Sequence, residues 1–228
     1  MACFANFGIA AKTKPKAILL FDKELVVLYF NKLAIETLKK SDTAAKFKNN
    51  FVEAVKNDQK LKGYSFYPRK NSKDDISEIL KKQYSFCNKE EDFQFIKGLA
   101  ADNKIFLAQG DLLKDEDVEK VKNAIDKSNY EVSIAYISNI YGWVNSKKTQ
   151  TTQQNHNKLN TNFQLLFNEN TKIVSGDKEI KIQKLDTVIQ EHTPSSMMWN
   201  IVIGMGVLAL LAVLGGFIYE MVNERQIV

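Results

Sequence analysis

The sequence predicts an α/β protein, in which a parallel β-sheet with flanking helices is followed by one C-terminal transmembrane helix. Three observations lead to this prediction. Short apolar runs alternate with amphipathic stretches, which is typical of strands joined by crossover helices. Two of these runs flank an amphipathic stretch in the order strand, helix, strand. Residues 201–219 contain no charged side chain.

The N-terminal half is predicted to hold one strand and four helices. Residues 17–21 (AILLF) form an apolar run closed by Asp22, as expected for a buried strand. Ser41 and Asp42 offer an N-cap for the second helix. The apolar periodicity predicts helices over residues 24–40, 43–57, 76–80 and 90–101.

The next segment predicts a βαβ unit. Residues 105–108 (IFLA) and 132–137 (VSIAYI) read as strands, and residues 115–127 read as a helix with acids in its first turn. Such a unit makes a parallel sheet with a right-handed connection.

The rest of the chain predicts less regular structure before the membrane. Residues 149–158 (TQTTQQNHNK) are polar and low in complexity, which indicates an exposed loop. A short helix over 163–167 and a hairpin of 171–175 with 179–182, turning at Gly176 and Asp177, are expected to follow. We therefore divide the chain into a domain (1–148), a segment that completes it (149–185), a linker (186–198), a transmembrane helix (199–220) and a short tail (221–228).

The uncharged segment has the length of a membrane span. At ~1.5 Å rise per residue, residues 201–219 cover roughly the 30 Å hydrocarbon core. Trp199 and Tyr219 flank it where aromatic rings favour the headgroup level. The alternative is a buried core helix, which would carry polar residues on one face. Only residues 220–228 follow, and the N-terminus lacks the apolar core of a secretory signal, so we expect a single-pass tail anchor with a cytosolic N-terminal domain.

Small residues recur along the predicted transmembrane helix. Gly206, Ala209, Ala212 and Gly216 lie at helical spacing, and small residues let two helices approach closely in lipid. The pattern predicts a homodimer packed through this helix. The alternative is that glycine and alanine are simply frequent in membrane helices.

Composition excludes several classes of function. The net charge of +5 comes from lysines spread along the chain, which indicates solvated faces or, alternatively, contacts with anionic lipid. No basic motif is interleaved with aromatics, so nucleic acid is not an expected partner. Cys3 and Cys87 are isolated and favour a reducing compartment. His156 and His192 lie in polar or linker sequence, predict surface side chains, and suggest neither a metal site nor a catalytic triad.

Polar side chains follow three of the predicted strands. Asp22 follows the first, Gly110 and Asp111 the second, and Ser138 and Asn139 the third. In open α/β sheets, ligands bind beyond the carboxyl ends of the strands, so these residues predict a nucleotide-type site. The alternative for each residue alone is that it caps the following helix or makes a turn.

Taken together, three segments resemble a bacterial family of S-adenosylmethionine-dependent methyltransferase-like proteins. They are KAILLFDKELVVLYFNKLAIETLKK, IFLAQGDLL and EVSIAYISNIYGWV, within roughly residues 14–145. The resemblance implies a Rossmann-like methyltransferase fold with Asp22, Asp111 and Asn139 at cofactor-side positions. In that fold a strand and a Gly-rich loop precede the Asp-bearing strand, yet only sixteen residues precede Ala17 and Gly8 is their sole glycine. A whole βαβ unit needs about 30 residues, so we expect a truncated sheet that holds no cofactor.

These expectations favour a non-enzymatic, tail-anchored membrane protein that displays a degenerate methyltransferase-like domain to an unidentified protein partner. A lysine- and asparagine-rich, bacterial-looking chain with such an anchor also suggests a secreted effector at a host membrane. One alternative is an active, membrane-tethered methyltransferase that binds S-adenosylmethionine through Asp22 and Asp111. Another is an adaptor whose basic loops bind anionic lipid.

Overall fold

A computed structural model of the protein describes residues 4–61, 76–81, 85–138, 140–144, 150–175 and 181–192. The helices within these ranges are α1 (Ala5–Thr13), α2 (Leu25–Lys40), α3 (Ala44–Asn57), α4 (Ile76–Lys81), α5 (Glu90–Ala101), α6 (Asp115–Lys127), α7 (Ile140–Val144), α8 (Gln150–Leu166) and α9 (Leu185–His192). The strands are β1 (Ile18–Asp22), β2 (Ile105–Gln109), β3 (Ile134–Ser138), β4 (Lys172–Ser175) and β5 (Lys181–Lys184). The chain divides into two units, Met1–Leu185 and Asp186–Val228.

An aromatic core fills the space between the N-terminal helices. Its rings come from α1 and the residue before it, from α2, α3 and α5, and from a 3-10 turn over Phe86–Asn88. Seven phenylalanines contribute, each at most 3% exposed: Phe4, Phe7, Phe30, Phe47, Phe51, Phe86 and Phe93. Neighbouring rings lie 5.1–6.4 Å apart between centroids, in tilted, stacked and edge-to-face arrangements that aromatic pairs favour.

Helix α1 is fastened to α5 by charge as well as by these rings. Lys12 Nζ donates to Asp92 Oδ2 at 2.8 Å, and Lys14 Nζ lies 3.7 Å from Asp92 Oδ1. Lys14 ends α1 with a left-handed φ of 50°, and its ammonium lies 4.5 Å from the centroid of the Phe95 ring. The sequence did not predict this helix, although its phenylalanines supply part of the core.

Strands β1 and β2 pair in parallel, with one face buried and the other covered only near the C-terminal ends of the strands, since Leu19 and Phe106 are exposed on it. Ile18, Leu20 and Ile105 belong to the same buried cluster as the aromatic core. On the opposite face, Phe21 and Ala108 pack against a second cluster built from α6 and the C-terminal end of α8. This arrangement explains the apolar runs that identified both strands in the sequence.

Strand β3 belongs to a separate, three-stranded sheet of order β3–β4–β5. It pairs in parallel with β4, and β4 pairs antiparallel with β5, as the sequence predicted for a terminal hairpin. The predicted single sheet with β3 beside β2 is therefore wrong. The hydrophobic pattern of a strand specifies that it is buried, but it does not specify the partner that supplies its hydrogen bonds.

The fold class predicted from the sequence is wrong in a second respect. No helix in the described part of the chain is long and apolar enough to cross a membrane, so the structure does not support the predicted transmembrane helix. Residues 199–220, including Gly206, Ala209, Ala212 and Gly216, lie outside the described residues. The described residues form a mixed α/β arrangement with two small sheets, not a single truncated Rossmann-like sheet.

The polar segment expected to be a loop is a helix. Residues 150–158 form the first half of α8, because the second half of this helix is held by buried Leu159 and Phe163. The predicted linker from residue 186 likewise begins as helix, since α9 extends to His192. Tertiary packing thus overrides the weak helix propensity of Thr, Asn and His in α8.

Candidate functional site

Parallel pairing brings two of the three predicted polar sites together. Asp22 lies in register with Gln109 at the end of β2, and the Gly110 amide donates to the Asp22 carbonyl oxygen at 3.2 Å. Asp22, Gly110 and Asp111 therefore lie at one edge, called here the β1–β2 edge. Ser138 ends β3 in the other sheet, and Asn139 lies outside the described residues. The structure does not unite the third site with the first two.

The Asp22 carboxylate serves the turn that leads into α2. Its Oδ1 accepts a hydrogen bond from the Glu24 amide at 2.9 Å, and Glu24 is the N-cap of the helix. Burial raises the pKa of the Asp22 carboxyl, against the lowering effect of this hydrogen bond. The geometry is that of a local turn, in which the aspartate side chain caps the connection to the following helix.

Asp111 is also used by its own connection, between β2 and α6. Its Oδ1 accepts from the Leu113 amide at 3.0 Å, and its amide donates to Asp117 Oδ2 at 3.1 Å. Asp117 lies in the first turn of α6. The hydrogen bond from the Asp111 amide, followed by that from Lys120, holds the pKa of Asp117 below its usual range. The acids after β2 thus organise the start of a helix.

Gly110 is a glycine because two neighbours occupy the space of a side chain. A Cβ at this position would lie 2.6 Å from Cε2 and 2.7 Å from Cζ of the Phe21 ring. It would also lie 2.9 Å from Cβ of Asp117. These separations are shorter than real Cβ contacts, so the glycine permits close packing of strand, ring and helix.

The second cluster holds the Phe21 ring in this place. Phe21 packs against a buried set on α6 and α8, formed by Val118, Val121 and Leu166. Val118 is fully buried, so α6 cannot withdraw from the sheet without exposing apolar surface. The β1–β2 edge is consequently a close packing contact, called here a packed joint, between the sheet and α6.

Sequence reasoning missed a buried polar cluster between α7 and α8. The Tyr141 hydroxyl donates to Asn160 Oδ1 at 2.6 Å, and the Tyr141 ring meets His156 edge-on at a centroid distance of 5.3 Å. Burial raises the pKa of Tyr141 to about 12. His156 is 7% exposed, so its predicted surface position is wrong.

A periodic signal for this cluster was present in the sequence. His156, Leu159, Asn160, Phe163 and Leu166 are all buried, and their spacing of three or four residues is that of one helix face. The polar composition of the segment concealed this periodicity. The other histidine, His192, is the last residue of α9. The described residues contain no group of three His, Cys, Asp or Glu side chains that could hold a metal ion.

A shallow hollow of about 250 Å³ lies on the exposed side of α2, lined by Tyr29, Lys32, Leu33 and Glu36. Tyr29 is already engaged there, because its hydroxyl donates to Asp58 Oδ2 at 2.6 Å. Lys60 Nζ also lies 4.8 Å from the centroid of the Tyr29 ring. The hollow is open and one of its four lining side chains is committed to neighbours, which makes it a weak candidate for a ligand site.

The fold and the β1–β2 edge define a mixed α/β domain whose helical layer encloses an aromatic core and whose strand edge is packed against a helix. A family model described as a domain of unknown function, DUF7790, matches residues 1–174. This match covers about three quarters of the 228 residues, and the chain belongs to that family. No curated protein matches the chain.

Proposed function

We propose that this protein is a non-enzymatic interaction protein that presents its folded domain to a protein partner. The proposal is supported above all by the β1–β2 edge. The carboxylates of Asp22 and Asp111 accept hydrogen bonds from their own turns, and the Phe21 ring fills the approach to Gly110. A nucleotide site needs the reverse arrangement, in which backbone and acids at the strand ends are open to the ligand.

Titration with S-adenosylmethionine tests this proposal directly. Isothermal calorimetry on the full-length protein in detergent is expected to give no saturable heat at micromolar to millimolar cofactor. The alternative, an active methyltransferase, predicts micromolar binding that is lost in Asp22→Asn. This variant keeps a side-chain oxygen for the Glu24 amide, so the turn into α2 is retained.

A matched control separates loss of a ligand contact from a general effect of charge. Asp102→Asn removes an exposed carboxylate that pairs with Lys104 at 3.1 Å, away from the carboxyl ends of the strands. Saturable binding in the unmodified protein and in Asp102→Asn, but not in Asp22→Asn, would overturn the proposal in favour of the methyltransferase.

We also propose that the uncharged sequence 201–219 brings the protein to a membrane. Full-length protein is then expected to stay with the membrane fraction during alkaline carbonate washing. Replacing Leu208 and Leu211 together by Arg is expected to release it, because each charge in hydrocarbon costs about 2.5–3.5 kcal/mol. Release of the unmodified protein would contradict membrane attachment. Delivery into a host cell is a separate prediction of the composition.

A further inference from the structure

The outer edge of the β3–β4–β5 sheet combines backbone that no described strand pairs with, an exposed apolar side chain and two neighbouring lysines. Lys172 of β4 lies in register with Lys184 of β5, and Val174 with Ile182. In the described part of the chain, no strand pairs with the side of β5 that faces away from β4. An unpaired strand edge is a template for the addition of another strand.

The hydrogen-bond pattern shows which groups face this free edge. The Lys172 amide donates to the Ser133 carbonyl oxygen at 2.9 Å, so Lys172 directs its backbone groups towards β3. The backbone N–H and C=O groups of successive residues point to opposite sides of a strand. Lys172 and Lys184 therefore form a non-hydrogen-bonded pair, the type in which side chains lie closest. On β5, the amides of Ile182 and Lys184 therefore point away from β4.

The side chains of Lys172 and Lys184 consequently lie next to each other on one face of the sheet, at this edge. Both Lys172 and Lys184 are exposed, and neither forms an ion pair with a described residue. Like charges directly opposite each other in an antiparallel pair are destabilising, so an anion beside the pair is favoured. The side chain of Ile182 is 64% exposed and lies on the same face, two residues before Lys184.

We propose that the free edge of β5 binds an extended acidic peptide segment by strand addition. The peptide would hydrogen-bond to the outward amides of Ile182 and Lys184 and place an apolar side chain beside Ile182. A carboxylate two residues further along the peptide would lie beside Lys184, with Lys172 one strand further away on the same face. This inference rests on the proposed interaction function and names the chemistry of the partner.

The charges make the edge selective. Lysines on an edge strand oppose pairing with neutral or basic strands, and here they favour an acidic one. An anionic lipid surface would also satisfy the charges, but it offers no strand whose alternating N–H and C=O groups could pair with the backbone of β5. The combination of outward backbone and Ile182 therefore favours a peptide.

Fluorescence anisotropy with a designed probe tests the proposal. The probe is a labelled octapeptide, Thr-Val-Thr-Glu repeated twice, which places valine and glutamate two residues apart on one face. Full-length protein in neutral detergent is expected to bind it, and to bind the version with Gln in place of Glu about fivefold more weakly. Lys172→Glu combined with Lys184→Glu should abolish binding, and Ile182→Thr should weaken it while preserving a β-branched residue.

Lys16→Glu is the matched control, because it reverses one exposed lysine far along the chain from this edge. Equal binding of the Glu and Gln peptides, or an equal loss in Lys16→Glu, would overturn the proposal. The proposal would also be overturned if the double lysine variant bound the peptide as before but no longer bound phosphatidylserine vesicles. That result would identify a lipid surface as the ligand of the two lysines. Failure here would leave the S-adenosylmethionine titration unaffected, so the two proposals fail separately.

A stability measurement tests the premise independently of any ligand. Lys184→Gln should raise the thermal midpoint at low salt, because it removes one of two like charges. About 0.5 M sodium chloride should erase that gain, since salt screens exposed charges. An unchanged midpoint at low salt would show that the two ammonium groups do not repel each other and would overturn the argument from charge.

Discussion

Truncation of Phe47 should remove the centre of the aromatic core. Phe47 is fully buried. Its ring centroid lies 5.4 Å from that of Phe51, in a stacked pair, and 5.5 Å from that of Phe86. Phe4 and Phe93 contribute further contacts at 6.4 and 5.9 Å. Phe-to-Ala changes at such sites cost about 3–5 kcal/mol, and we expect the upper half of that range because four rings lose a partner.

The assay is urea unfolding followed by far-ultraviolet circular dichroism. Phe47→Ala should lower the free energy of unfolding by about 4 kcal/mol, whereas Phe47→Leu, which keeps most of the volume, should cost about 1.5 kcal/mol. Phe106→Ala is the control, because Phe106 is 46% exposed on β2 and should cost less than about 1 kcal/mol. A Phe47→Ala cost no larger than that of Phe106→Ala would refute the proposed core.

Three further residues give distinct tests. Burial alone would raise the pKa of Asp92, but Lys12 and neighbouring lysines lower it. Asp92→Asn should therefore destabilise the folded protein at pH 7. That deficit should shrink as pH falls below about 4, since the ion pair stabilises only while the carboxylate is charged; a deficit constant with pH would contradict this. Burial raises the pKa of Cys87 to about 12, so little of its thiol is ionised at pH 8. In a Cys3→Ser background, the folded protein should therefore be alkylated at Cys87 roughly 10³-fold more slowly than the protein unfolded in urea. Asn162→Asp should cost about 2 kcal/mol by thermal melting, because Asn162 Nδ2 donates to the Leu112 carbonyl oxygen at 2.7 Å and a carboxylate cannot; no loss would show that this bond is unimportant.

Local pattern predicted most of the helices and the strand positions. The amphipathic periods of α2, α3, α5 and α6 place apolar side chains at helical spacing, and each helix appears within a residue or two of its predicted bounds. The N-cap of α3 differs slightly, because Thr43 rather than Ser41 or Asp42 accepts the capping hydrogen bond, from the Lys46 amide at 3.2 Å.

Features that depend on distant partners were not predicted. The strand β3 finds β4 after 33 intervening residues (139 to 171), and nothing in its own sequence distinguishes β4 from β2. Helix α1 is stabilised by rings and an acid contributed from other helices, and α8 by its buried second half. Local propensity is weak in both helices, so long-range packing decides their structure.

The sequence predicted where Asp22 and Asp111 lie in the fold, but not which groups their side chains bind. The sequence placed Asp22, Asp111 and Ser138 after three strands; parallel pairing of β1 with β2 brings the first two together, and Ser138 lies in the other sheet. Their hydrogen bonds to local amides follow from the lengths of two turns, and the contact of Phe21 with Gly110 follows from how α6 packs. Both depend on side-chain geometry that residue type and spacing do not specify.

A double-mutant cycle at the β1–β2 edge tests most directly whether Gly110 serves packing. Gly110→Ala should cost about 2 kcal/mol in the free energy of unfolding, because its methyl group would meet the Phe21 ring. Phe21→Leu lacks the Cε2 and Cζ atoms that cause the clash, so in that background the same glycine change should cost at least about 1 kcal/mol less. Equal penalties in both backgrounds would contradict a packed joint and return Gly110 to the list of ligand-binding candidates.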